Sequence, residues 1–385
     1  MLPAPDRTNL RERTREDVYE LIRSSAASTR AELIGRTGLP TTTVSHAIDR
    51  LLADGRIMRT EAQQKGPGSG SGRPGALYKA VATGRMTGAI DFGHGHILAA
   101  IANDIGDIVD EAEIRLDVDL DAVQAMDAAT EQLKALQSRL RVAELAAVVA
   151  GIPGPVDRDS GLVCSPTILS GWVGLEPARE LRRRLHAPVH IGNDATLGAY
   201  GERVRGAGRA HRDFLYVKAS HGVGAGLVLD GNPYVGATGL AGEIGHTPLS
   251  GRSELCRCGR RGCLEAVVSV QAVTEQILHT HPGMTLGDVL SSGMEDPVTG
   301  TILEEAGRTL GRVLADLCNL FNPSAIIVGG ELGASGPSLL RGIHASIARH
   351  AQPATAAALV VLPAELGVRA ELVGAVQLTS QFVPR

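Results

Sequence analysis

Apolar residues change their spacing along this chain. Between residues 16 and 60 they recur every three or four positions, which predicts helices. Residues 17–24 place Val18, Leu21 and Ile22 on one face. Thr29, Arg30, Ala31 and Glu32 form a Thr-x-x-Glu capping box, which predicts a second helix through Ile34 and Arg36. Gly38 stops that helix where a left-handed residue belongs. After Leu39-Pro40, residues 41–53 carry Val44, Ile48, Leu51 and Leu52 as one apolar stripe, and Gly55 ends the third helix. Two helices joined by a tight glycine-containing turn make a helix-turn-helix, with the second as recognition helix. Residues 57–60 and 75–80 read as two strands of a wing around a polar, Gly/Ser-rich tip from Gln63 to Gly72.

From Thr87 onward the apolar positions gather into short runs that end in glycine-rich turns, as in an α/β domain. The run 88–92 leads into Asp91-Phe92-Gly93-His94-Gly95-His96, and a return strand is expected at 97–103. Residues 145–152 lead into Gly151-Ile152-Pro153-Gly154-Pro155-Val156-Asp157. Residues 188–191 lead into Gly192-Asn193-Asp194, and 214–219 into Ser220-His221-Gly222-Val223-Gly224-Ala225-Gly226. Residues 325–328 lead into Gly329-Gly330. Such turns let backbone N–H groups approach phosphate or hydroxyl oxygens at the strand ends.

Length and charge refine this picture. At 385 residues the chain exceeds one ordinary core, so two or three domains are expected. Residues 1–80 hold 13 Lys/Arg against 9 Asp/Glu, whereas the remainder is net acidic. A basic N-terminal piece on an acidic body points to a polyanion partner for that piece alone. On the third helix, Thr41, Thr42, Thr43, Ser45 and His46 offer short polar groups to phosphates and base edges, with Arg50 further along. Arg73, beside Pro74 at the wing edge, suits a minor groove. Aromatics at 3% argue against stacking on single strands or RNA. No apolar run approaches the roughly 20 residues of a membrane span, and the first 17 residues lack an apolar leader core. A cytoplasmic location with reduced cysteines and no membrane partner is therefore expected.

The densest chemistry is His246 with Cys256, Cys258 and Cys263, three of the five cysteines within eight residues. One imidazole and three thiols fit a closed tetrahedral zinc site of the structural kind, with Gly259 and Gly262 turning the loop. A disulfide knot would leave an odd thiol, and a zinc hydrolase would need an open metal position that four protein ligands deny.

The string running from Gly245-His246 to Cys263-Leu264-Glu265 resembles the ROK proteins (repressors, open reading frames and sugar kinases), and the resemblance spans roughly residues 86 to 385. It implies an α/β chain with a winged helix-turn-helix DNA-binding domain at 1–80. A two-lobed, actin-like ATPase (ribonuclease H-like) sensor domain follows at 81–385, with its zinc knuckle at 246–263. The helices and the Gly72-Arg73-Pro74 tripeptide resemble the xylose- and N-acetylglucosamine-repressor branch; stand-alone kinases of the family lack that first domain. The resemblance assigns Asp194 to the place of a kinase's general base and Asn193 to a sugar hydroxyl. It assigns Glu243, His246 and Glu265 to further sugar hydroxyls. One zinc-bound histidine can serve both, because its second ring nitrogen stays free.

Three positions depart from the family pattern. Thr167 stands where the family usually has an Asn that contacts sugar. Gly95 replaces the Thr of the first phosphate loop, and His221 replaces the Thr of the second. Phosphoryl transfer rests on positioning and charge stabilisation, so losing both hydroxyls should cut it severely. The expectation is a non-enzymatic, sugar-responsive transcriptional regulator, a repressor of carbohydrate-metabolism genes. Asp194 would be a vestigial base that serves as an effector acceptor, Zn2+ a structural cofactor, and ATP with Mg2+ no cofactor. Its partners would be an operator duplex, a sugar effector and a second copy of the chain. The alternative is an ATP-dependent sugar kinase that carries a DNA-binding module.

Overall fold

The computed structural model describes residues 7–25, 28–60, 76–157, 160–164, 169–284, 287–288 and 296–383. They divide into two compact units: the chain through Arg85 with the turn Asn103–Asp107, and Met86–Ala102 with Ile108–Arg385.

In the first unit α1 spans Arg7–Arg23, α2 Arg30–Thr37 and α3 Thr41–Ala53. The first helix thus begins ten residues ahead of the expected start, in a stretch whose Arg and Glu favour helix without an apolar stripe to announce it. The capping box is formed: Glu32 N–H donates to the Thr29 hydroxyl, and the Glu32 carboxylate accepts from Thr29 N–H. Gly38 ends α2 in the left-handed conformation, its N–H on Ile34 O. Val18, Ile22, Leu33, Val44, Ile48 and Leu51 pack with Ile57 and Tyr78 into one small core. Strands β1 (Ser28–Thr29), β2 (Ile57–Thr60) and β3 (Leu77–Ala80) form an antiparallel sheet in the order β1-β3-β2. The two-residue β1 was not expected from sequence, since it is too short to show a period. On α3, Thr41, Thr42, His46 and Arg50 are exposed, and Thr43 and Ser45 are half-buried. Arg73 and the wing tip lie outside the described residues, as does Thr167.

The second unit holds two five-stranded sheets. The first contains β4 (Met86–Phe92), β5 (His96–Asn103), β6 (Ile108–Arg115), β7 (Val148–Ile152) and β8 (Val189–Asn193), in the order β6-β5-β4-β7-β8. The second contains β9 (Phe214–Ala219), β10 (Val223–Leu229), β11 (Asn232–Tyr234), β12 (Ala325–Gly329) and β13 (Val360–Pro363), in the order β11-β10-β9-β12-β13. Both therefore run third-second-first-fourth-fifth, with the last three strands parallel. This duplicated, two-lobed α/β arrangement is the one the resemblance implies. Each lobe has its own core. Ile90, Phe92, Met126, Leu133 and Trp172 fill the first, and Leu215, Val217, Leu264, Leu314 and Ile326 the second.

The helices Asp194–Arg205 and Ala370–Thr379 pack closely against each other. Their approach uses missing side chains: a Cβ at Gly374 would meet the Leu197 carbonyl, and one at Gly201 the Ala370 carbonyl. Gly374→Ala should accordingly lose about 1–3 kcal/mol by overpacking. Equilibrium denaturation would register it as a lower midpoint at unchanged slope, and an unmoved midpoint would refute the close-packing account.

Candidate functional site

Five strand ends and two loops converge on one open cleft between the sheets of the second unit. His94 comes from the turn after β4, Pro153-Gly154-Pro155 from that after β7, and Asn193 and Asp194 from the end of β8. Lys218 lies near the end of β9, and Gly222-Val223-Gly224 forms the turn into β10. Glu243, His246, Arg257 and Glu265 close the other side. All five effector residues expected from sequence are thus brought to one place from positions up to 72 residues apart.

Two of them have structural duties as well. Asn193 is the N-cap of the helix Asp194–Arg205, its side-chain oxygen accepting from Thr196 N–H at 3.1 Å. That leaves its amide N–H groups for a ligand. Glu265 is 7% exposed and accepts from Val223 N–H at 3.1 Å, so it fixes the turn before β10. Its other oxygen lies 3.8 Å from Cys256 Sγ and 3.9 Å from Arg257 Nε. Asp194 has both oxygens engaged: Oδ1 accepts from Ala195 N–H and Oδ2 from Lys218 Nζ, each at 2.7 Å. Burial, with Asp194 and Glu265 adding negative charge, pushes Glu243 up to about 7.

The four soft ligands form a tight group beside this cleft. One ligand atom from each of His246, Cys256, Cys258 and Cys263 lies within 4.8 Å of the others. His246 Nδ1 is 3.6 Å from Cys256 Sγ, and Cys258 Sγ is 3.7 Å from Cys263 Sγ. A tetrahedral ion with sulfur at about 2.3 Å and imidazole nitrogen at about 2.0 Å spaces its ligands by about 3.5–3.8 Å. The donor set therefore fits a metal ion. Gly259 and Gly262 hold φ of +85° and +74°, which lets the loop fold back on itself. His246 Nε2 faces the cleft side, 3.7 Å from Glu243 Oε2. Cys164 is exposed and Cys318 is buried in the core of the second lobe, both apart from this group.

The phosphate-loop positions behave as their residue types dictate. Gly95 is exposed, with open space where a side chain would stand. His221 stands 5.8 Å from His94, ring to ring. Burial lowers its pKa, against the Glu331 carboxylate, which acts to raise it. Asp119 accepts at 2.6 Å from His94 and lies 3.7 Å from Arg257, joining the first lobe to the knuckle at the cleft mouth.

Three cleft residues escaped the sequence reading: His94, Lys218 and Arg257. Only Lys218 carried a usable signal, as a lysine within an otherwise apolar strand. Among the described residues no helix is long and apolar enough to cross a membrane.

A sequence profile of the ROK family matches residues 87–382. The xylose repressor of Bacillus spizizenii is 28% identical over 358 residues, 92% of this chain and 91% of that protein. Among solved structures, a ROK family transcriptional regulator described as a homolog of the E. coli MLC protein superposes with a TM-score of 0.75 at 22% identity. It covers 97% of this chain and 96% of its own. A ROK family glucokinase from Streptomyces griseus, in complex with glucose and AMPPNP, superposes at 0.69 with 28% identity. That match covers 77% of this chain and 99% of the kinase.

Proposed function

This chain belongs to the ROK family, and on that premise we propose that it is a DNA-binding repressor of carbohydrate genes whose kinase-like domain senses a sugar. The observation that carries this reading is the extent of the likeness. The glucokinase is matched almost whole yet leaves nearly a quarter of this chain unpaired, whereas the regulators pair along nearly all of it. The family profile begins at residue 87, so the unpaired part includes the helix-turn-helix.

The division follows at residues 1–80 for DNA and 81–385 for sensing. Thr41, Thr42, Thr43, Ser45, His46 and Arg50 present the DNA-reading face of α3, and Arg73 the wing contact. Paired half-sites call for a homodimer. In the cleft, Asn193, Asp194, Glu243, His246 and Glu265 exchange hydrogen bonds with sugar hydroxyls. Zinc is the metal that one imidazole and three thiolates select; His246, Cys256, Cys258 and Cys263 would hold it, and it would serve as a structural brace. The His246 ring, held through Nδ1, would then present Nε2 to the ligand. A sugar gripped by both lobes favours one lobe arrangement, and DNA affinity changes only if DNA favours another.

A second reading, an ATP-dependent sugar kinase, has two observations in its favour: the likeness to the glucokinase and the place of Asp194 at the cleft. Against it stand the missing hydroxyls at Gly95 and His221 and the commitment of Asp194 to Lys218.

The test is a gel-shift titration of the full chain on its own promoter fragment, with hexoses, pentoses and N-acetylated amino sugars added in turn. One of them is expected to release the complex. Arg50→Ala should weaken DNA binding roughly tenfold and reduce the salt slope by about 1. Glu243→Gln should bind DNA as wild type does but lose the sugar response. The reading fails if no promoter fragment is shifted, or if Glu243→Gln responds like wild type.

A further inference from the structure

At the cleft, two carboxyl groups from different parts of the second unit meet one ammonium. Lys218 Nζ donates to Asp194 Oδ2 at 2.7 Å and lies 3.8 Å from Glu371 Oε1. Asp194 follows β8 of the first sheet and opens the helix Asp194–Arg205, Lys218 belongs to β9 of the second, and Glu371 lies in the first turn of the helix Ala370–Thr379. Asp91, at the end of β4, acts on Lys218 through space; it is 1% exposed, and its Oδ1 has no hydrogen-bond partner among the described residues. A buried acidic group of this composition is where an oxygen-seeking divalent ion would settle.

Asp91 and Asp194 each have a basic partner. For Asp194 it is Lys218; for Asp91 it is His96, whose Nε2 lies 3.7 Å from Asp91 Oδ2 and whose pKa is raised by the Asp91 hydrogen bond. The third acid is Glu371. Burial pushes Glu371 up to about 7, and the Tyr216 hydroxyl donates to its Oε1 at 3.0 Å. A divalent ion entering this group would have to displace an ammonium held by its best partner and leave that charge buried and unpaired. A lysine survives in the buried strand β9 because these acids stabilise it.

We propose that the Lys218 ammonium is a built-in cation, standing against Asp194 and Glu371 where a divalent ion would otherwise sit and excluding it from the cleft. Lys218 lines the cleft beside Asp194, and its hydrogen bond holds Asp194 Oδ2 in place there. The consequence for ligand binding rests on the regulator reading; the exclusion of the ion does not, and the experiment reads the exclusion.

The probe is Mn2+ alone, added to zinc-loaded full chain and followed by the EPR signal of free Mn2+ and by thermal shift. Wild type and Lys218→Arg should show no saturable Mn2+ site. Lys218→Met should take up about one Mn2+ per chain, at a midpoint at least about tenfold below any wild-type uptake, with Mg2+ competing. Adding Asp194→Asn to Lys218→Met should abolish the uptake. Lys218→Gln, which retains a hydrogen-bond donor, serves should Lys218→Met fail to fold. Saturable Mn2+ uptake by wild type that disappears with Asp194→Asn would overturn the proposal. So would uptake by Lys218→Arg equal to that of Lys218→Met, or none by either neutral variant. Neither sugar nor DNA enters the measurement, so its failure leaves the regulator reading standing.

Discussion

Cys258→Ser should strip the chain of zinc and cost it more stability than any other single change considered. Purified wild type is expected to carry about one zinc per chain, and the variant nearly none. The ligand spacings of 3.6 and 3.7 Å leave no room to replace a sulfur by a shorter, harder oxygen without moving the loop. Binding energy at such a site is folding energy. The effect should spread beyond the knuckle, because Cys263 is 1% exposed and the next residue, Leu264, is fully buried in the core of the second lobe. A fall of about 5–10 °C in Tm is expected, corresponding to a few kcal/mol. Cys164→Ser, at an exposed position apart from the cluster, should change neither zinc content nor Tm. Metal analysis that finds no zinc in wild type, or equal zinc in Cys258→Ser, would refute the assignment. The same loss should blunt the sugar response, since His246 and Glu265 border both the metal group and the cleft.

Sugar-dependent ATP turnover should fall at least about 10³-fold below the 1–100 s⁻¹ typical of kinases. Three defects act together. Gly95 and His221 provide no hydroxyl for the nucleotide phosphates. Burial lowers the pKa of His221, which works against a compensating charge there. Asp194 Oδ2 is already engaged by an ammonium at 2.7 Å, which competes with a substrate hydroxyl for it. Restoring Thr at both loop positions should therefore not restore turnover while Lys218 remains. A coupled assay across hexoses, pentoses and N-acetylated amino sugars decides the matter. ATP consumption at kinase rates that requires both a sugar and Asp194 would establish the kinase reading instead.

Local features were legible wherever the physics is local. The third helix has the expected bounds of Thr41–Ala53, because its apolar stripe and its flanking Pro and Gly are all within the segment. The capping box at Thr29 and Glu32 and the bounds of Phe214–Ala219 were readable for the same reason. The strand Ile108–Arg115 was missed although its burial alternates along its whole length. Its four charged residues mask the period, since an edge strand turns one face to water. The start of α1 at Arg7 was missed because an Arg- and Glu-rich helix end has no apolar face to read.

Sequence alone determined the donor chemistry: which four side chains offer soft metal ligands, which loops lack hydroxyls, and which helix presents polar groups outward. These depend on residue type and short spacing, and a chain cannot hide them. Only the tertiary structure decided how distant residues share charge. Lys218 meets an acid 24 positions before it and another 153 positions after it, and that meeting turns a catalytic-looking aspartate into half of an ion pair. The repeated strand order of the two lobes is equally silent in sequence, because each sheet is specified by burial, which many sequences satisfy. Chemistry written in neighbouring residues is read directly; chemistry made by a fold exists only once the elements have packed.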